Sequence, residues 1–222
     1  MIFLDAHFQE HLSNCLYYTA NRYVTSSLIF MISDSNQHHR DVNSSTAIIP
    51  QVNGKLISPC IQKDMLDSVL KKLQRSSRWP IILLETGTHK VDISPKPDDT
   101  YILMSDEEVV SGVKNDIRQL ASITTKDQDS NPRAKYIAVI TNKFSNAKNV
   151  AKDVLSVLWE FKLINTIVLI PTAEHNIYEN NTVSLIDVYT WFPFEQQGRC
   201  ANVSDAVLLD RWVSDNSQQH FL

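Results

Sequence analysis

The sequence of 222 residues predicts a doubly wound α/β domain, in which a mostly parallel sheet carries helices on both faces. Short continuous apolar runs alternate with segments of helical periodicity, and the connections between them are short. An order of strand, helix and strand with short connections implies right-handed βαβ units and helices on both sides of the sheet. No polar segment is long enough for an interdomain linker, so we expect one domain over residues 1–222.

Five apolar runs are predicted to be strands that are buried on both faces of the sheet. Each run is rich in aliphatic residues and bounded by polar ones, which is typical of parallel strands covered by helices. The runs are SLIFMI at 27–32, IILL at 81–84, YILM at 101–104, YIAVI at 136–140 and TIVLI at 166–170.

Three segments between these runs are predicted to be helices. Apolar residues recur at helical spacing over 62–75, 109–120 and 147–162. Ser105 and Glu108 fit a capping box at the start of the second helix, since the serine can accept a hydrogen bond from a free N–H group while the glutamate reaches back.

Composition excludes several classes of function. The formal net charge is −4 and no basic run is longer than Lys71-Lys72, so we expect no nucleic-acid or anionic-membrane partner. The 4 glycines are too far apart for a phosphate-binding loop, and we expect no cofactor.

No run approaches the ~18 consecutive apolar residues that a membrane-spanning helix needs. Asp5 interrupts the first apolar run too early for a secretory signal, which favours a cytosolic protein unless the true start lies upstream.

Polar residues follow the predicted strands at the carboxyl edge of the sheet, where α/β proteins usually bind ligands. A hydrolase could assemble Ser105, Asp106 and His175 there, but the sequence has no GxSxG motif and the serine already has a capping role. The pair His38-His39 lacks metal-ligand spacing and is interpreted as part of a solvated loop. We therefore expect no catalytic and no metal site, with a free-standing hydrolase as the alternative.

Cysteines and glycosylation sequons bear on the cellular compartment. The three cysteines are disulfide candidates with three possible pairings, or else buried thiols of a reducing compartment. They are Cys15, Cys60 and Cys200. Three Asn-x-Ser/Thr sequons are candidate glycosylation sites and favour a secreted setting. They are at Asn43, Asn180 and Asn202.

Aromatic residues cluster near the end of the sequence. Trp191, Phe192 and Trp212 are predicted to pack either against the domain's own core or against a following domain. Both hypotheses make them packing residues rather than cofactor-stacking ones.

Three motifs in this region resemble the end of the N-terminal ectodomain of insect ionotropic receptors, which are chemosensory relatives of ionotropic glutamate receptors. They are VYTWFPF at 188–194, GRC at 198–200 and VLLDRW at 207–212. Four further segments resemble earlier parts of that ectodomain. They are RAKY at 133–136 leading into IAVIT, Trp159-Glu160 within a helix, LIN at 163–165 leading into IVLIP, and a helix around Cys15 before Arg22-Tyr23.

The resemblance implies the extracellular amino-terminal domain of a ligand-gated cation channel, which would serve subunit assembly and coupling to a ligand-binding domain. It implies a location on the outer side of the cell membrane, other receptor subunits as partners, and a flavodoxin-like fold or half of a periplasmic-binding-protein-like domain. The agonist-binding and pore-lining residues of that family have no counterpart in this sequence. A secreted small-molecule binding module is the other alternative beside the hydrolase.

Overall fold

A computed structural model describes residues 6–24, 29–33, 59–75, 79–85, 99–105, 109–123, 134–176, 181–192, 205–214 and 219–221. Within these ranges the chain forms four helices and eight strands. The helices are α1 (Ala6–Tyr23), α2 (Pro59–Arg75), α3 (Val109–Ile123) and α4 (Ala147–Glu160). The strands are β1 (Ile29–Ser33), β2 (Ile81–Glu85), β3 (Thr100–Ser105), β4 (Lys135–Ile140), β5 (Asn165–Asn176), β6 (Asn181–Thr190), β7 (Val207–Ser214) and β8 (Gln219–Phe221).

The strands form one sheet in the order β2-β1-β3-β4-β5-β6-β7-β8. Neighbours from β2 to β5 pair in parallel, and β6, β7 and β8 each pair antiparallel to the preceding strand. The five predicted strands and the three predicted helices are confirmed, as is the doubly wound fold class. The connections within the antiparallel part need no crossover helix, because antiparallel neighbours can be joined at one edge.

Each face of the sheet carries its own core because side chains alternate along a strand. On β4, Ile137 and Val139 join the core beneath α1 and α2, whereas Tyr136, Ala138 and Ile140 join the core beneath α3 and α4. Burying an aliphatic or aromatic side chain stabilises the fold by about 1.5–3 kcal/mol. Both faces must therefore be apolar, which explains the continuous apolar runs of the sequence.

The predicted capping role of Ser105 is wrong. Ser105 is the last residue of β3, where it pairs with Ile140 and its carbonyl accepts the N–H of Thr141 at 3.0 Å, whereas α3 begins only at Val109. The hydroxyl oxygen of Ser105 has no hydrogen-bond partner in the described part of the chain, so it satisfies no free N–H of the first helical turn. Its hydroxyl instead lies against Gly112, where any Cβ would clash with Ser105 Oγ. Gly112 therefore allows α3 to approach β3 closely.

Helix α4 begins and ends with defined local geometry. The side chain of Asn146 accepts the N–H of Asn149 at 3.2 Å, which satisfies a free donor of the first turn. After the helix, Lys162 has a φ of 62° and its N–H returns to the carbonyl of Trp159 at 2.8 Å. This tight turn leads the chain directly into β5. No helix in the described ranges is long and apolar enough to cross a membrane.

Candidate functional site

A cavity of about 510 Å³ lies at the edge of the sheet where β4 and β5 begin and β6 ends. Because β6 runs antiparallel to β5, with Tyr189 beside Val168, the last residues of β6 lie next to the first residues of β5. The end of α1 closes one side of the cavity. The lining residues are Tyr23, Val24, Lys135, Tyr136, Ile137, Ile164, Asn165, Thr166, Ile167, Thr190, Trp191, Phe192 and Leu209.

The cavity wall is mainly apolar and contains a few fixed polar groups. The ammonium of Lys135 donates to the carbonyl of Tyr23 at 3.0 Å, and the hydroxyl of Thr190 donates to the carbonyl of Thr166 at 2.8 Å. Burial raises the pKa of the Tyr23 phenol, which therefore stays neutral at physiological pH. Among the described wall residues, Lys135 alone carries a charge.

Two wall residues contain buried polar atoms whose hydrogen-bonding capacity is unused. Within the described part of the chain, no partner is found for Thr166 Oγ1 or for Trp191 Nε1. The Trp191 ring packs edge-on against Trp159, with the ring centroids 5.2 Å apart. Buried polar atoms usually have partners, so these two are exceptions, and their burial keeps them from facing the open cavity.

Exposed apolar side chains gather beside the cavity. We call them the apolar rim: Phe192, Val207, Leu208 and Leu209. Val188 pairs with Asp210 and Tyr189 with Leu208, so Leu209 is the extra residue of a β-bulge. Within the described ranges β8 pairs only with Trp212–Ser214, which leaves no strand on the outer edge of β7 before Trp212. The apolar rim thus combines exposed apolar side chains with a strand edge that has no partner strand among the described residues.

Ion pairs fix the strands that carry the apolar rim. Asp187 Oδ1 and Oδ2 accept from Arg211 Nε and Nη2 at 2.6 and 3.2 Å, and the Tyr189 hydroxyl donates to Asp187 Oδ2 at 3.1 Å. Asp210 accepts from Arg22 Nη1 at 2.5 Å and from the N–H of Arg211 at 2.9 Å. Both buried carboxylates are therefore paired with cations, as buried charges must be.

The aromatic residues singled out by the sequence occupy different positions. Trp212 is 1% exposed, donates from Nε1 to His11 Nδ1 at 3.2 Å and packs edge-on against Phe221. Trp191 is also buried, whereas Phe192 is 52% exposed. The two tryptophan rings thus pack inside the domain, as the core-packing hypothesis expects. Of the three, only Phe192 is exposed to solvent.

The hydrolase alternative requires Ser105 and His175 to lie close together, and the sheet separates them. The register places Ser105 level with Ile140 of β4, and Val139, the residue before Ile140, level with Leu169 of β5, so Ile170 is the next residue along β5. His175 lies five residues further along β5, which is roughly 16 Å at ~3.3 Å per residue. The Ser105 side chain is buried, and the Thr141 hydroxyl donates to its carbonyl at 3.2 Å. Asp106 lies outside the described residues.

Cys15 is a free thiol in the core beneath α1, and burial raises its pKa well above the usual range. Cys60 lies in α2. The described residues contain no group of His, Cys, Asp or Glu side chains that could hold a metal ion. The remaining predicted sites lie outside the described residues: Cys200, the sequons at Asn43, Asn180 and Asn202, and the pair His38-His39.

No protein-family profile, no curated protein and no solved structure matches the chain. The functional argument therefore rests on the cavity and the apolar rim. Sequence reasoning missed both, because it placed the ligand edge at the opposite end of the parallel strands. The signal that could have found them is the run VLL at 207–209, which exposes uninterrupted apolar residues beside the aromatic Phe192.

Proposed function

We propose that the chain is the extracellular amino-terminal domain of a ligand-gated cation channel of the insect ionotropic receptor kind, and that it serves subunit assembly and coupling. The doubly wound fold agrees with the fold that the resemblance implies. Two of the three motifs at the end of the sequence lie next to the apolar rim, since VYTWFPF begins in β6 and includes Phe192, and VLLDRW lies in β7. The observation that carries the assembly role is the apolar rim, which lies on a strand edge without a partner strand in the part of the chain that the structure describes.

An exposed apolar strand edge invites pairing with another chain. The occupant that we propose is the same edge of a second copy, since a two-fold axis makes a strand edge self-complementary through antiparallel pairing. The charges permit this contact. Val207, Leu208 and Leu209 are uncharged, Asp210 is paired with Arg22, and Asp205 before the strand is paired with Lys148 at 2.7 Å. Among the described residues of this edge, two copies would therefore bring no unpaired like charges together.

Sedimentation velocity over a range of protein concentrations tests the assembly role. We expect the chain to dimerise, and Leu208→Lys to be monomeric, because a lysine on a strand edge blocks pairing. Val110→Lys on α3 is the matched control, since Val110 is 42% and Leu208 48% exposed. It should dimerise like the parent chain. A parent chain that stays monomeric at all concentrations, or a Leu208→Lys variant that still dimerises, would contradict the proposal.

The receptor identity has its own tests. The transcript should encode further segments of about 20 apolar residues downstream of Leu222. The chain secreted from insect cells should shift in mobility after glycosidase treatment, through the sequons at Asn43, Asn180 or Asn202. Three reactive thiols in the unfolded protein together with no glycan would contradict an extracellular location. A complete transcript without apolar segments would leave the secreted small-molecule binding module as the better hypothesis.

A further inference from the structure

We propose that the cavity at the start of β4 and β5 binds a small, neutral aromatic molecule through apolar contacts with its wall. The wall combines a suitable volume, aromatic rings in fixed positions and polar groups that already have partners. The inference does not depend on the receptor identity or on the dimer, because it rests on the described wall residues alone.

The size and lining of the cavity suit a small molecule. Ligand sites are typically clefts of about 300–1,000 Å³ with mainly apolar walls. The volume of about 510 Å³ lies within this range, and most of the described wall residues are aliphatic or aromatic. The cavity therefore has the dimensions and the apolar surface of a small-molecule site.

Aromatic rings in the wall are held in fixed positions by other rings. Tyr136 stacks on Tyr101, with the ring centroids 5.2 Å apart and an interplanar angle of 16°. Trp191 packs edge-on against Trp159, also at a centroid distance of 5.2 Å. Aromatic rings prefer offset-stacked or edge-to-face contacts with one another. An aromatic ligand can make such contacts here without first ordering these side chains, which favours binding.

The polar groups of the wall are already occupied, which favours a neutral ligand. The ammonium of Lys135 donates to the carbonyl of Tyr23 and takes part in further interactions, and so does the side chain or backbone of Asn165. The hydroxyl of Thr190 donates to the carbonyl of Thr166. A charged ligand would lose its water in the cavity without gaining a partner that these groups have to spare, and that loss is costly. A neutral apolar ligand has no such penalty.

The β-bulge of β7 places one apolar side chain at the opening of the cavity. Leu209 is the extra residue of the bulge and belongs to the wall, whereas the neighbouring Leu208 does not. Leu209 and Phe192 are also exposed to solvent. A bound apolar molecule would cover this surface, and removing apolar surface from water supplies binding free energy.

Two fluorescent probes with similar aromatic bodies test the proposal. N-phenyl-1-naphthylamine is neutral, and 8-anilinonaphthalene-1-sulfonate is its anionic counterpart. Titrations are carried out at concentrations where sedimentation shows a monomer, so that dimerisation does not interfere. We expect the neutral probe to bind saturably with a stoichiometry of one per chain. The sulfonate should displace it only at concentrations about tenfold higher or more, because its charge must leave water.

Two pairs of variants locate the bound probe. Leu209→Asp places a short charged side chain on the wall and should weaken the neutral probe about tenfold, whereas Leu208→Asp places the same charge outside the wall and should leave binding unchanged. Phe192→Ala removes an aromatic ring from the wall and should weaken the probe by about three- to tenfold, whereas Val207→Ala outside the wall should not. All four residues are exposed, so none of these changes should unfold the domain.

Four results would overturn the proposal. They are a lack of saturable binding of the neutral probe, displacement by the sulfonate at equal concentration, equal effects of the two aspartates, and unchanged binding in Phe192→Ala.

Discussion

The buried ion pair between Asp187 and Arg211 should hold β7 on β6 and thereby support the apolar rim. Asp187→Asn keeps the shape of the side chain but removes its charge. The Asp187 side chain is 4% exposed, and Arg211, 32% exposed, donates to both of its oxygens. Breaking a fully buried pair costs about 3–5 kcal/mol. Because Arg211 can regain some water, we expect a loss of about 2–3 kcal/mol in the free energy of unfolding.

Urea denaturation followed by circular dichroism measures this loss, provided that the m-value is unchanged. A double-mutant cycle with Arg211→Met isolates the pairwise coupling. The matched control is the same kind of cycle on Lys148 and Asp205, a pair of similar length whose side chains are 52% and 58% exposed. The control coupling should be clearly smaller, since solvent screens exposed charges. Equal coupling energies in the two cycles would refute the argument from burial.

Three further predictions concern the rest of the fold. Gly112→Ala should destabilise the domain by about 1–2 kcal/mol in urea denaturation, because its Cβ meets the Ser105 hydroxyl, and Ser105→Ala in the same chain should restore much of the loss. Burial and the charge of Asp187 raise the pKa of Tyr189 to about 12 from its ordinary value of 10.0. Between these pH values the phenol stays protonated in the folded state but ionises in the unfolded state. The free energy of unfolding should therefore fall as pH rises from about 10 to about 12, and less steeply in Tyr189→Phe; identical pH profiles would count against this. Cys15 should resist iodoacetamide in the native protein and react after unfolding, as measured by peptide mass spectrometry; labelling of the native thiol would contradict its burial.

The parallel half of the fold could be predicted because burial on both faces leaves a direct trace in the sequence. Strands such as YIAVI at 136–140 are continuously apolar, and the helices between them show a single apolar stripe. The cap of α3 was predicted wrongly, because Ser105 and Glu108 match a capping pattern, whereas Ser105 ends β3 and its hydroxyl has no hydrogen-bond partner in the described part of the chain.

The candidate site could not be predicted, because it depends on the direction of β6. An antiparallel β6 brings Thr190–Phe192 beside the first residues of β5, and this creates the cavity at the amino-terminal edge of the parallel strands. A pattern of apolar residues does not record strand direction. The expected carboxyl-edge site followed from the rule for parallel sheets, which does not extend to this antiparallel part.

The sequence by itself determined the layers of this protein, since apolar periodicity is a local property of neighbouring residues. It also determined that the chain carries no strong net charge, because acidic and basic residues nearly balance. Only the tertiary structure decided that Trp191 and Trp212 face inward while Phe192 and Val207–Leu209 face solvent. The reason is that exposure depends on strand pairing and on the bulge at Leu209, which join residues distant in the chain.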